Sequence, residues 1–255
     1  MEVPRAVPIF SGATQTMSAT MYFLSKDCFV CRMECYWIIL SAERDRYLCV
    51  AHTELASIGE QLYGWRKRSD SARPSPIGAE TDKLVESLTI NGIITSNPTI
   101  GKPFAESEYP TPESRIEASE STTSAHVPLF WILRFFLACA KADWQLRTKA
   151  LSRTLARIER RRLCAEYSGA VRNVPHASSL VAAFQRLRPL YPRSYLCLFD
   201  SLALLEFLAG YRLLPHVVFG VVADPFQAHC WLQDGSTVIN DELERVGRYK
   251  PILSM

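Results

Sequence analysis

The segment from Cys197 to Asn240 is the part of this chain that most restricts its architecture. CLFDSLALLEFLA predicts a helix over Cys197–Ala209, closed by Gly210. Three short apolar runs follow, at Pro215–Val222, Ala228–Gln233 and Ser236–Asn240, and Asp234-Gly235 separates the last two. An Asp-Gly dipeptide between two apolar runs is a strong hairpin signal. Upstream, Leu129 to about Tyr167 has helical periodicity, with Leu133, Phe136, Leu137 and Ala140 on one face and Leu151, Leu155 and Ile158 continuing a stripe. Another helix is expected over Ala177–Leu187, ending at Pro189. Helices first and a small antiparallel sheet last predict an α+β domain over residues 128–255.

The front of the chain reads differently. Met21–Leu24, Tyr36–Ser41 and Arg46–Ala51 are short apolar or alternating runs, and Ala42-Glu43-Arg44-Asp45 suits a hairpin connection. Thr53 is placed as the N-cap of a helix with Leu55, Ile58 and Leu62 on its apolar side. After the polar loop Arg66–Gly78, a second helix uses Leu84, Val85 and Leu88 and stops at Asn91-Gly92. Strands followed by two helices predict a small α+β module over residues 18–98. Five prolines, at 98, 103, 110, 112 and 128, punctuate a stretch of Ser, Thr and Glu without apolar period. Such a composition buries too little apolar surface to offset ordering, so residues 99–127 are expected to be a flexible linker.

Charge and hydropathy exclude some classes. The net charge of +3 offers no strong field for nucleic acid, and none is expected as a partner. The most apolar segment, Leu129–Ala140, is too short for a bilayer and contains Arg134, so no membrane span is expected. The N-terminus lacks the apolar stretch of a secretory signal, and a cytoplasmic location with mostly reduced cysteines is expected. Basic residues are concentrated between Arg147 and Arg172, where Lys149, Arg153, Arg157, Arg160 and Arg161 recur at helical spacing. That is either a solvated helix face or a docking surface for an acidic partner.

The chemistry is concentrated near the end. Cys197 opens a helix, where the dipole and free N–H groups favour a thiolate. His229 lies at the start of a strand, and Asp241 lies just past the partner strand of the hairpin. On adjacent strands, Asp241 can orient the imidazole while its other nitrogen activates Cys197, and the helix start can supply N–H groups to a developing oxyanion. Cysteine on a helix, histidine on a strand and aspartate on the next is the order found in transglutaminase-like and papain-related acyl-transfer enzymes.

The segment around those residues resembles the C-terminal half of lasso peptide biosynthesis B proteins. The matching elements are Cys197-Leu198, Ser201-Leu202-Ala203-Leu204, Val218-Phe219-Gly220-Val221, Pro225-Phe226, His229-x-Trp231 and Val238-Ile239-Asn240-Asp241. The resemblance implies a transglutaminase/papain-like cysteine protease fold that removes the leader from a ribosomally made precursor peptide. It carries the family's Cys, His and Asp onto Cys197, His229 and Asp241. It also implies two partners, the precursor's leader segment and an asparagine-synthetase-like lasso cyclase that receives the core. Cys230 departs from the pattern, since a small non-thiol residue is usual between His and Trp, and so does Leu232-Gln233. Tyr22-Phe23-Leu24-Ser25, Trp37-Ile38-Ile39-Leu40, Arg46-Tyr47-Leu48 and Gly92-Ile93-Ile94-Thr95 are similar to the leader-recognition module of some B proteins, a pyrroloquinoline-quinone-chaperone-like winged helix. An extended leader can add a strand to such a module's sheet edge. The groove is expected between the edge strand (Arg46, Tyr47, Leu48, Cys49, Val50) and the second helix (Lys83, Leu84, Ser87). A module starting near Tyr22 would make Met17 or Met21 the start of the protein.

Other motifs are weaker. Cys28, Cys31 and Cys35 form C-x2-C-x3-C, and Cys49 or His52 could complete a zinc set. Because they fall across strands, where side chains alternate, reduced thiols are favoured and no metal or other cofactor is expected. Cys139 and Cys164 read as packing residues, Ser201 as helix packing and Asp200 as a charge favoured by the helix dipole; His216 is a second candidate base. No Gly-rich phosphate loop is present. Transfer of the acyl group to an amine, or leader binding without catalysis, are the alternative functions.

Overall fold

The computed structural model describes residues 20–65, 79–116, 127–167 and 174–255. Met17, the loop Arg66–Gly78, the last part of the expected linker and Arg172 lie outside the described residues. The front half contains β1 (Phe23–Ser25), β2 (Cys28–Arg32), β3 (Tyr36–Ser41), β4 (Arg46–Ala51), α1 (His52–Ser57), α2 (Ala79–Ile90), β5 (Ile94–Thr95) and β6 (Gly101–Lys102). These strands make two antiparallel sheets, in the orders β5-β1-β6 and β2-β3-β4. The β3–β4 hairpin turns through residues 42–45 as expected, with Asp45 in the left-handed region at φ 48°. Helix α1 differs from the expectation. It begins at His52, with Ala51 at the N-cap, so Thr53 lies inside the first turn; the Glu54 carboxylate accepts the N–H of Ala51 instead. Leu62 is beyond the helix, in a bridge to Tyr22.

The rear half contains β7 (Ser114–Arg115), α3 (Leu129–Thr148), α4 (Leu151–Tyr167), α5 (Val174–Leu187), a 3-10 turn at Arg188–Leu190, α6 (Cys197–Ala209), β8 (His216–Val222), β9 (Gln227–Asp234), β10 (Thr237–Val238), α7 (Leu243–Val246) and β11 (Lys250–Ser254). Its sheet has the order β11-β8-β9-β10-β7, antiparallel except for the parallel β10–β7 pair. Gly235 turns the β9–β10 hairpin at φ 59°, a conformation that a residue with Cβ adopts at a cost.

The structure departs from three expectations. The long helical signal is two helices, and the face with Leu133, Phe136, Leu137 and Ala140 points outward. α3 instead buries Phe135, Ala138, Cys139, Ala142 and Gln145 against α6, because small residues let two helix backbones approach closely. Residues 101–116 are not an unstructured linker: Gly101–Lys102 pair with β1 and Ser114–Arg115 with β10. Between them, the Pro110 carbonyl accepts a hydrogen bond from Gln233 and the Tyr109 hydroxyl donates to the carbonyl of Gln233. An extended, proline-rich strand suits a sheet margin, and composition cannot separate it from an unbound one.

The two halves are also not independent. Strands β2 and β3 are largely buried on both faces, which explains why they read as nearly continuous apolar runs. Cys28, Val30, Ile39 and Val50 enter a front core with Leu55, Leu88 and Ile94. Phe29, Cys31, Ile38, Leu40 and Ala42 enter a second core with α3, α4, α5, α6 and the rear sheet. β11 runs beside β2, where Lys250 donates to the Arg32 carbonyl and pairs with Glu106. The two halves therefore share one core.

The basic run divides: Arg153 and Arg160 are exposed on α4, as a solvated face would have them, while two others turn inward. Arg157 and Arg161, with Lys141 of α3, surround the buried Glu206 carboxylate on α6. Burial alone would raise its pKa, but the Lys141 hydrogen bond and the three cations hold it below the usual range. Removing one partner of a buried ion pair costs roughly 3–5 kcal/mol. Here the cations are part-exposed (Lys141 side chain 47 %), which brings the expected loss for Glu206→Ala to about 2–3 kcal/mol. A fall in Tm of about 5–10 °C by calorimetry is the corresponding result; an unchanged Tm would refute the internal role.

Candidate active site

Cys197 is the first residue of α6, and its N-cap, Leu196, is extended. The thiol, half-buried, thus sits among the unpaired N–H groups of the first helical turn. The loop preceding it is held by Arg188, which is buried and donates to the carbonyls of Tyr191, Arg193 and Ser194 and, at 2.5 Å, to the Asp200 carboxylate. Asp200 is thus an ion-pair partner rather than only a helix-dipole charge. Sequence reading missed Arg188, since a lone arginine before Pro189 carries no pattern.

His229 is the third residue of β9 and only 5 % exposed. Its Nε2–H donates to the carboxylate of Asp241, in the turn after β10. That bond leaves Nδ1 for Cys197 and fixes the tautomer. The ring stacks on Trp231 at 6.0 Å and meets Tyr249 at 5.0 Å. Opposite His229 in the sheet is Gly220, where a Cβ would lie 2.7 Å from Cβ of Tyr249 and 2.8 Å from the Trp231 ring. Glycine there lets both aromatic rings close on the imidazole.

The three groups bias one another. The Cys197 thiol is pulled below its usual pKa first by its hydrogen bond with His229, against burial, and further by the imidazolium charge and the N–H groups of Cys230 and Leu198. Burial would lower His229, but hydrogen bonds and charges of Asp241 and Cys197 outweigh it and raise the imidazole to about 9. Burial likewise opposes ionisation of Asp241, yet its bonds to His229 and to the Glu242 N–H at 2.8 Å hold it low. A thiolate–imidazolium pair is the resting state that these shifts favour.

The remaining candidates separate by geometry. Cys230 points away from solvent, and burial pushes its thiol well above the usual range. His216 pairs with Gln233, four residues along the hairpin from the Gly220–His229 pair, or roughly 13 Å away. Cys28 and Cys31 enter opposite cores, while Cys35 and Cys49 are exposed, so these four thiols do not converge. Cys139 is buried on α3 and Cys164 is exposed on α4, so only the first packs in a core.

The expected leader groove is divided by strand alternation. β4 is an outer strand of its sheet, with Arg46 and Cys49 exposed. Leu48 and Val50 turn to the front core, where Leu84 of α2 also packs; Lys83 and Ser87 are exposed on that helix. Tyr47 turns to the other side, packs on the shared core and meets the exposed ring of Phe226 at 5.3 Å. Phe226 leads directly into β9 and His229, so the β4 margin reaches the neighbourhood of the thiol.

Residues 139–254 match the family model of the transglutaminase-like superfamily. They form a transglutaminase-like domain. No curated protein and no solved structure matches the chain. The matched span includes Cys197, His229 and Asp241, and the transglutaminase-like superfamily generally carries cysteine-protease or acyl-transfer activity. Among the described residues, no helix is long and apolar enough to cross a membrane.

Proposed function

We propose that this chain is a cysteine peptidase that removes the leader from a ribosomally made lasso precursor peptide, with Cys197, His229 and Asp241 as its catalytic triad. The observation that carries the reading is the thiol–imidazole–carboxylate line at the start of α6, within reach of the β4 margin. The Cys197 thiolate attacks the carbonyl of the leader–core bond, and N–H groups at the helix start receive the oxyanion. The His229 imidazolium gives its proton to the leaving core amine. Now neutral, it takes a proton from water, whose oxygen attacks the thioester, and the leader leaves as a free acid. The core passes to an asparagine-synthetase-like cyclase.

The front half is read as the leader-recognition module, in which an extended leader adds a strand along β4 beside α2. Backbone groups of Arg46 to Val50 would pair with the leader, while Lys83, Leu84 and Ser87 contact its side chains.

The transglutaminase-like match fits acyl transfer to an amine equally well, and one experiment separates the two. A lasso precursor peptide, to be sought as a short reading frame beside the gene, is incubated with the protein, with and without a simple primary amine, and the products are weighed. Leader acid in both samples supports the peptidase; a leader amide in the second supports transfer; intact precursor in both leaves a leader-binding chaperone.

A pH profile of kcat/KM should be bell-shaped. The active ion pair exists above the thiol pKa, which lies below its ordinary value, and below the imidazolium pKa of about 9. Activity therefore rises as Cys197 ionises and falls as pH passes about 9 and His229 loses its proton. Activity that keeps rising beyond pH 10 would contradict the ion pair.

A further inference from the structure

Three separate segments bring the triad together: the start of α6, the middle of β9 and the turn after β10. A single buried hydroxyl connects them. Ser201, one turn along α6 from Cys197 and wholly inaccessible, donates to the carbonyl of Cys230 at 3.1 Å. It accepts from Nδ2 of Asn240 at 3.0 Å, and Oδ1 of Asn240 accepts the N–H of Leu232 at 2.7 Å. Cys230 adjoins His229, and Asn240 adjoins Asp241.

This arrangement is not ordinary helix packing. A serine inside a helix usually turns its hydroxyl back to the carbonyl four residues earlier, which here would be that of Cys197. Ser201 instead reaches across to the sheet, and both its donor and its acceptor capacity are used between the segments that carry His229 and Asp241. The backbone bond from the Ile239 N–H to the Leu232 carbonyl closes the same ring at 2.9 Å. Ser201, Cys230 and Leu232 are buried, beside Phe199, Leu202 and Leu205 of the core, and at that end of the ring an unpaired polar atom is costly; Asn240 is part-exposed.

We propose that Ser201 and Asn240 are positioning residues that hold His229 and Asp241 in register with Cys197. The proposal rests on the triad reading above. Neither residue touches the reacting atoms; each acts through the neighbour it anchors. Removing the hydroxyl leaves the Cys230 carbonyl without its Ser201 donor and Nδ2 of Asn240 without its acceptor. The Leu232 bonds to Asn240 and Ile239 still hold the hairpin together, so β9 and the turn bearing Asp241 are free to shift as a unit relative to α6 and Cys197. A displacement on the order of 1 Å is enough to cost about 100-fold in rate.

The test uses the full chain. In Ser201→Ala, kcat should fall about 10- to 100-fold while KM stays within about twofold, as expected for lost alignment with intact binding. Asn240→Ala, at a part-exposed turn, should give the same split. The double variant should lose less than the product of the two single losses, because both cut the Ser201–Asn240 bond. Ser201→Thr, which keeps the hydroxyl, should recover most of the rate.

A substrate-free readout accompanies these rates: the ultraviolet thiolate absorbance of wild type minus Cys197→Ala, followed against pH. The groups facing the pair, Asp241, Arg245, Cys230, Tyr47 and Tyr249, are unchanged in every variant, so an upward move of the thiol midpoint in Ser201→Ala and Asn240→Ala reports alignment. A wild-type midpoint at or above the ordinary thiol value overturns the triad reading and this proposal with it. A low wild-type midpoint with variants unchanged in midpoint and kcat, or with additive losses in the double variant, overturns the positioning role alone.

Discussion

Replacing His229 with alanine should lower kcat/KM for the precursor by at least about a thousandfold, the scale on which a nucleophile loses its base. Two functions disappear at once. The thiol returns toward its ordinary pKa, because the His229 hydrogen bond is the largest cause of its depression. The leaving amine also loses its proton donor. Asp241→Asn keeps the shape of the contact but no longer favours the imidazolium, and a loss of roughly 100- to 10,000-fold is expected. Single-turnover cleavage followed by mass resolves both values. Alkylation by iodoacetamide near pH 6 gives an independent check: Cys197 should react first in the wild type, ahead of exposed Cys35, Cys49 and Cys164, and that preference should vanish in His229→Ala. A His229→Ala enzyme within tenfold of wild type would contradict the assigned base.

The second large effect concerns cutting the chain. Phe29, Cys31, Ile38, Leu40 and Ala42 of the front sheet are buried against the helices of the rear half. At roughly 1.5–3 kcal/mol for each large side chain, these contacts contribute on the order of 5–10 kcal/mol. A domain's whole stability is about 5–15 kcal/mol. Residues 127–255 expressed alone should therefore expose apolar surface, bind a hydrophobic dye and lose a cooperative melt. Supplying residues 1–116 in trans should restore both. A free-standing rear half that melts at the wild-type temperature would refute the shared core.

The same sheet marks where the sequence stopped being legible. Cys197–Ala209 could be read to the residue, because an apolar helix ends at Gly210, and the order Cys197, His229, Asp241 became spatial through one recognisable hairpin at Asp234-Gly235. The faces of β2 and β3 could not be read. When both faces are buried, Cys28 and Phe29 or Ile38 and Ile39 are all apolar, and alternation no longer separates two cores. α3 misled for the opposite reason. Its large apolar residues, Leu133 and Leu137, face outward, while Ala138, Cys139 and Ala142 make the closest packing and leave little trace in a hydrophobic pattern. β7 and β11 exist through tertiary pairing; two residues beside prolines, or a strand containing Pro251, have no local signature. Ser201 read as packing because its partners, Cys230 and Asn240, are distant in sequence and are chosen by the fold.

The proposed function requires Cys197 to cut a leader from its core. Wild-type protein and Cys197→Ala, each shown to be folded by the same melting curve, are incubated with the precursor peptide, and the masses are read over time. Leader and core from the wild type, with intact precursor from Cys197→Ala, is the predicted result. Equal cleavage by both proteins, or intact precursor with both, would contradict it.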